Sequence, residues 1–264
     1  MCCLISAGGL NLIQLQKWNQ AAVAKLCWDL AHKEDKLWIK WIHTYYIKDQ
    51  QLGDCVIPQQ ASWMTKKILA SRYIMLQSYL PSPQHQSMIR TFYLQLIGDL
   101  PRVQWKCLKF GNKARPKACF VMWLCLQQRL LTADRLLKWD IEASPTCVMC
   151  QQDPESHEHL FVTCTVAKTL WAKVLRWSNN QLCIATTWNE FVQWGISSAK
   201  GKAQQAQLFK MVFAECTYAL WTERNQRLFE STSRHVDQLA KDLAVICTVR
   251  VPPGLQTLIH SFQF

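Results

Sequence analysis

A mostly α-helical fold follows from three features of the sequence. Prolines and glycines number only 9 and 8 in 264 residues, too few to interrupt helices often. Apolar side chains recur at spacings of three and four over long stretches. Half of the residues are apolar and 18% are charged, which supports a packed core and excludes disordered or collagen-like architecture. A chain of this length holds one large domain or two small ones.

Residues 15–48 carry Leu15, Trp18, Ala22 and Leu26, then Leu37, Trp41 and Tyr45, with the charged run 32–36 between them; this predicts two helices. Ser62 is placed to cap a helix running to about Leu80, where Pro81, Ser82 and Pro83 stop it. Residues 88–110 mix apolar and basic side chains and fit a short helix followed by an extended segment. Pro116 suits a first helical position, and Cys119, Phe120, Trp123, Leu124 and Leu130 form the expected buried face of the helix that follows. Thr132 and Asp134 begin the next one, with Lys138 near its negative end. Thr165 is placed to cap a helix striped by Val166, Leu170, Val174 and Trp177. Residues 203–229 form the longest pattern, with Phe209, Val212, Phe213, Cys216, Leu220 and Leu228 on one broad face. A last helix carries Val236, Leu239, Leu243 and Ile246 and ends at Val251 and Pro252. The organisation expected is a helical region over 1–83, a basic and cysteine-bearing domain over 84–180, and a helical region over 181–264.

Four residues interrupt this helical pattern with metal chemistry. Cys147, Cys150, His159 and Cys164 read as C-x2-C-x8-H-x4-C. A tight turn lets two cysteine sulfurs reach one ion, and a His and a Cys beyond it complete a tetrahedron, so one Zn2+ is the expected ligand. Four protein ligands leave no open position, which makes the site structural rather than catalytic. His157 is the rival for the third position, and the histidine that is not used is expected on the surface. The fold class is therefore mostly α with a small embedded Cys3His zinc-binding module.

The same residues resemble the reverse-transcriptase zinc-binding domain at the C-terminal end of plant LINE-type (non-LTR) retrotransposon polyproteins. That family's two cysteines, acidic stretch, His-Leu-Phe and last cysteine correspond to Cys147, Cys150, Glu155, the run His159, Leu160, Phe161, and Cys164. The segment 129–136 and Trp171 extend the likeness on both sides. Upstream, residues 8–12, Trp18, Asn19, residues 24–26 and 37–41, Ser62, Trp63 and residues 67–69 resemble the linker between polymerase and zinc domain. Downstream, residues 221–225 with Phe229 resemble a further motif. The resemblance implies nucleic acid as partner, the polymerase portion of a related element as a second partner, and a nuclear location. A reverse transcriptase holds its metal ions with clustered carboxylates, usually including an Asp-Asp pair; this sequence has none. The chain thus reads as the non-catalytic tail of such an element, a truncated relic or a gene-model fragment.

Thirty Lys and Arg against 18 Asp and Glu leave a formal charge of +12, which points to a polyanionic partner. Residues 1–132 hold 17 basic and 6 acidic side chains, a balance of +11, and residues 133–264 hold 13 and 12, a balance of +1. Between 101 and 117 stand Arg102, Lys106, Lys109, Lys113, Arg115 and Lys117 with Trp105 and Phe110 and no acid. Basic groups neutralise phosphates while aromatics stack on bases, so Arg102, Trp105, Lys106, Lys109, Lys113, Arg115 and Lys117 are the candidate RNA or DNA contacts, with low sequence specificity. The alternative is a zinc-stabilised protein-interaction or assembly domain using the apolar face of 203–229. Thirteen cysteines without a secretory pattern fit reduced thiols in an intracellular compartment. The longest apolar stretch, 118–126, is about half the roughly 20 residues that span a bilayer, so no membrane is expected.

Overall fold

A computed structural model of the chain describes residues 4–48, 50–76, 87–201 and 203–251. Twelve α-helices and no strand occur among them, and the chain divides into two units, Met1–Val103 and Gln104–Phe264. The expected stop of a helix at Pro81 to Pro83, and the chain beyond Val251, lie outside the described residues.

The upstream unit holds helices α1 (Leu15–Ala31), α2 (Leu37–Ile42), α3 (Trp63–Ala70), α4 (Arg72–Leu76) and α5 (Met88–Ile97); the single helix expected after Ser62 is broken at Ser71, which closes α3. A π-turn, His43–Ile47, extends α2. Ser62 caps α3 by accepting the Thr65 backbone N–H at 3.2 Å, the exchange that makes serine favourable there. Two small cores form. Cys27, Leu30, Ile39, Ile42, Ile47, Cys55, Ile68 and Leu69 make one, and Ala21, Ala24, Ile74, Phe92 and Tyr93 make the other, where α5 lies along α1. The buried Asp29 is held by Lys25 and Lys36. Burial pushes its carboxyl up, and the hydrogen bonds and charges of the two lysines outweigh this and bring it below its ordinary value.

The downstream unit is built around α11 (Gln204–Phe229). The other helices are α6 (Lys106–Lys109), α7 (Pro116–Leu126), α8 (Ala133–Leu137), α9 (Thr165–Trp177), α10 (Trp188–Ala199) and α12 (Val236–Arg250). Helices α6, α7, α9, α10 and α12 all pack on α11. Every residue from Met211 to Thr217 is buried, Glu215 and Thr217 included, so the middle of α11 is surrounded on all sides, not striped on one face. The face foreseen for partner binding, Phe209, Val212, Phe213, Cys216 and Leu220, lies inside this core. Leu228 departs from it, being 41% exposed where α11 outruns the helices around it.

Three other details differ from expectation. Phe120, read as core, is exposed on the outer side of α7, where its ring rests on Trp123. Leu130 is buried but follows the helix, which closes at Gln127 before a left-handed Gln128. Helix α10 has no counterpart among the expected helices. Its signal was nonetheless local: Thr187 and Glu190 form a capping box, each side chain accepting the other's backbone N–H.

Glu215 is fully buried on α11 and accepts the Arg115 backbone N–H at 2.8 Å and the guanidinium at 2.9 and 2.7 Å. It thereby fixes the start of α7, which Pro116 opens as its first residue.

The Asp29 environment gives a pH-dependent stability with a defined sign. Because the folded carboxyl sits below its unfolded value, its contribution is full above about pH 4 and is lost as pH falls through the folded value. Urea titrations of the wild type and Asp29→Asn, repeated from pH 7 to pH 2, should show the wild type more stable at neutral pH and the two converging in acid. A gap that stays constant across that range would contradict it.

Candidate metal centre

The four expected ligands converge. The Sγ atoms of Cys147, Cys150 and Cys164 and a ring nitrogen of His159 all lie within 4.8 Å of one another. Donors about 2.0 to 2.3 Å from a tetrahedral Zn2+ stand roughly 3.5 to 3.8 Å apart, so the chain alone brings them to within about an ångström of that spacing. Cys147 and Cys164 are buried, as is His159, and Cys150 is half-buried.

Two local structures set this geometry. The first is a tight loop over 146–154. The Cys147 backbone N–H donates to the Asp153 carbonyl at 2.8 Å, Gln151 N–H donates to the Cys147 carbonyl at 2.8 Å, and Glu155 N–H donates to the Pro145 carbonyl at 2.7 Å. A lone antiparallel bridge joins Thr146 to Pro154, and Gln151 turns the chain with φ of 57°. The second is the π-turn His159–Thr163, closed by the Cys164 N–H on the His159 carbonyl at 2.8 Å. In an α-helix, residues five apart point about 140° away from each other; the i to i+5 bond of a π-turn brings them back to one side. This accounts for the H-x4-C spacing.

His159 presents Nε2 to the Cys150 sulfur at 3.2 Å, while Nδ1 meets the Thr163 hydroxyl at 3.2 Å. The contact at Nδ1 orients the ring so that Nε2 faces the sulfurs, where a metal would be held. Cys164 is also the N-cap of α9, the place foreseen for Thr165, which is instead the first helical residue. The backbone N–H groups of Val166 and Ala167 reach its sulfur. The hydrogen bond from Cys147 lowers the Cys164 thiol and raises that of Cys147, which burial raises further, as for two sulfurs sharing one proton. A bound cation would take the place of such protons, since the ligand forms are thiolates. Three thiolates, a neutral imidazole and Zn2+ sum to about −1, and no ligand position remains for substrate.

His157, expected on the surface if unused, is buried. Its ring lies 5.2 Å from Phe161 and 4.3 Å from Trp188, edge-on to the latter. Burial pushes its imidazole down to about 4. An aromatic, neutral histidine packs there like any core side chain.

The loop is tied to α11 by residues known from the sequence only as pieces of a motif. Glu155 and Arg224 form a buried ion pair, with Nη2 to Oε1 at 2.6 Å and Nε to both oxygens at 3.2 and 3.1 Å. Glu155 also accepts the Ala133 N–H at 2.9 Å at the start of α8. Arg227 donates to the carbonyl of Met149, between the first two cysteines, at 3.0 Å. The buried Glu223 pairs with Arg227 and Arg234 in turn. Glu223 is fully buried, while Arg227 and Arg234 are partly exposed.

The basic stretch is divided by the structure. Arg102 is exposed in the upstream unit, while the other six candidates belong to the downstream one. Lys106, Lys113 and Lys117 are exposed. Trp105 is half-buried against the core. Lys109 stands 5.1 Å over the Trp123 ring, and burial lowers its ammonium. Arg115 is committed to Glu215 and lies 5.1 Å over Tyr218.

Metal analysis of purified chain should return one zinc per molecule. Chelation or Cys147→Ser should abolish amide protection over 146–171, because binding free energy of about 10 to 16 kcal/mol in small zinc modules is folding free energy. With zinc retained, Glu155→Ala should cost about 3 to 5 kcal/mol in urea unfolding, since it strands a buried guanidinium; a loss under about 1 kcal/mol would refute that role.

Searches of curated proteins and of solved structures return no match to this chain. No described helix is long and apolar enough to cross a membrane. Residues 88–171, which contain all four converging ligands, match the family model described as zinc-binding in reverse transcriptase.

Proposed function

We propose that the chain is a zinc-stabilised, non-catalytic module that binds RNA or DNA with low sequence specificity, similar to the C-terminal part of a LINE-type reverse transcriptase. The matched domain is a zinc-binding module rather than a catalytic one, and a closed Cys3His set shapes the fold without activating a substrate. The observation that carries the reading is the distribution of charge in the downstream unit. Its acids Glu155, Glu215 and Glu223 are buried against arginines, whereas Lys106, Lys113 and Lys117 are exposed and make no ion pair among the described residues. No acid lies between 101 and 117 to offset them. Separated lysines on a surface neutralise phosphates without reading bases. The eleven described cysteines are free thiols, which fits a reducing, intracellular setting, and a nuclear location and a related polymerase as partner rest on the family resemblance.

Binding of the full chain to an oligonucleotide should weaken linearly with salt on a log–log scale. Replacing Lys106, Lys113 and Lys117 together by Ala should flatten that slope by about 2 to 3, at 0.7 to 0.9 per phosphate contact. Binding that ignores salt, or none to RNA or DNA at low salt, would reject the proposal.

A further inference from the structure

Thirteen tryptophans serve this chain, and three are exposed: Trp41, Trp63 and Trp139. Two of the three have neighbours that account for them. Trp41 leans on Tyr45 and Tyr46 at 5.6 and 5.2 Å, and the adjacent Lys40 is paired with Asp35. Trp139 lies under Arg135, which donates to the Gln128 carbonyl, and is followed by Asp140 and Glu142.

Trp63 differs. It is the most exposed tryptophan, at 70%, and opens α3 with no aromatic partner among the described residues. The Lys67 ammonium, one helical turn on, lies 5.8 Å from the ring centroid and makes no ion pair among the described residues. In the same stretch of sequence Lys66 is half-buried and Tyr73 is 54% exposed, and the sequence holds no acid from Cys55 to Gly98. Met64 beside it is 48% exposed, and several other side chains of the segment have structural tasks. Ser62 caps the helix, Ile68 and Leu69 fill the core, and Arg72 donates to the carbonyls of Leu52 and Cys55. Packing therefore leaves Trp63 and Lys67 without a task.

An exposed indole flanked by unpaired cations in an acid-free segment is complementary to an unpaired base attached to phosphate. The ring face stacks with any base, and the ammonium meets the backbone charge. A duplex hides its base faces and gains nothing from such a platform, and a protein partner would need apolar cover that this basic surface does not favour. We infer that Trp63 and Lys67 form a base-stacking site for single-stranded nucleic acid in the upstream unit. This rests on the nucleic-acid reading above and adds a strand preference that the downstream lysines alone do not supply.

Fluorescence anisotropy of the full chain with labelled oligouridylate, and with a duplex RNA of equal length, tests it. Trp63→Ala should weaken single-strand binding by about 5- to 150-fold, the equivalent of 1 to 3 kcal/mol for one stacked base, while duplex affinity stays within about twofold. Trp63→Phe should keep most of the affinity, and Lys67→Gln should weaken it and flatten the salt slope. Equal single-strand binding by wild type and Trp63→Ala, with the triple lysine variant still impaired, would overturn this site and leave the general function standing. Failure of wild type to bind either RNA would overturn both. Light scattering that shows Trp63→Ala dissociating a wild-type dimer would mark the indole as a contact between copies and also overturn the site.

Discussion

The ion pair between Glu155 and Arg224 is the joint on which the downstream unit depends. A loop of nine residues with two of the ligand sulfurs buries too little apolar surface to hold a position by itself, and a metal would join it only to the π-turn and the start of α9, which carry His159 and Cys164. Glu155 leaves that loop at its far end, and Arg224 leaves the central helix. Each is almost completely buried, and each has a further partner, the Ala133 N–H for Glu155 and the Asn225 side chain for Arg224. A buried pair of this kind adds little net stability compared with apolar side chains. Its contribution is selectivity: any docking of the loop that fails to bring these two groups together leaves a charge in the core. Arg227, on the next turn, repeats the logic by reaching the Met149 carbonyl inside the first Cys-x2-Cys turn.

The same constraint explains the charge balance. The downstream unit, residues 104–264, holds 19 basic and 12 acidic side chains, a formal +7. Three of its glutamates, at 155, 215 and 223, are internal, and they pair with Arg224, which is buried, and with Arg115, Arg227 and Arg234, which are partly exposed. What solvent meets is a different set, in which lysines at 106, 113 and 117 stand without nearby counter-charges. A tally by sequence segment averages over these two populations, and only burial separates them.

Legibility followed the range of the interaction. Ser62 as a cap, Pro116 as a first residue and the spacing of apolar residues in α1, α9 and α12 depend on neighbours within one or two turns, and these elements stand where the sequence placed them. The Cys-x2-Cys turn is similarly local, and its chemistry was readable from residue type alone. The capping box of α10 was equally local and was missed because the apolar residues after it include Gly195, which lies close to Phe213 and weakens the pattern. The partners of Glu155 and Glu215 are 69 and 100 residues away. No periodicity reports such distances, so Arg115 read as a phosphate contact and Arg224 as one letter of a motif. The wide face of α11 read as a docking surface for the same reason: amphipathic spacing says that a face is buried, not by what.

The choice between the two histidines shows how little separates a ligand from a core residue. His157 and His159 are two positions apart on one turn, so their side chains diverge by about 200°. One direction leads to Phe161 and Trp188, where a neutral ring packs edge-on and burial disfavours its protonation. The other leads to the sulfurs, with Thr163 at Nδ1 and Nε2 turned to Cys150. Had the helix after His159 been regular, Cys164 would have faced away from the site, and neither histidine could have shared a metal with it. The π-turn therefore selects His159 by moving the last cysteine to its side. Its extra residue also lets Cys164 stand outside the next helix, where the first N–H groups of α9 meet its sulfur and favour the thiolate that a metal requires.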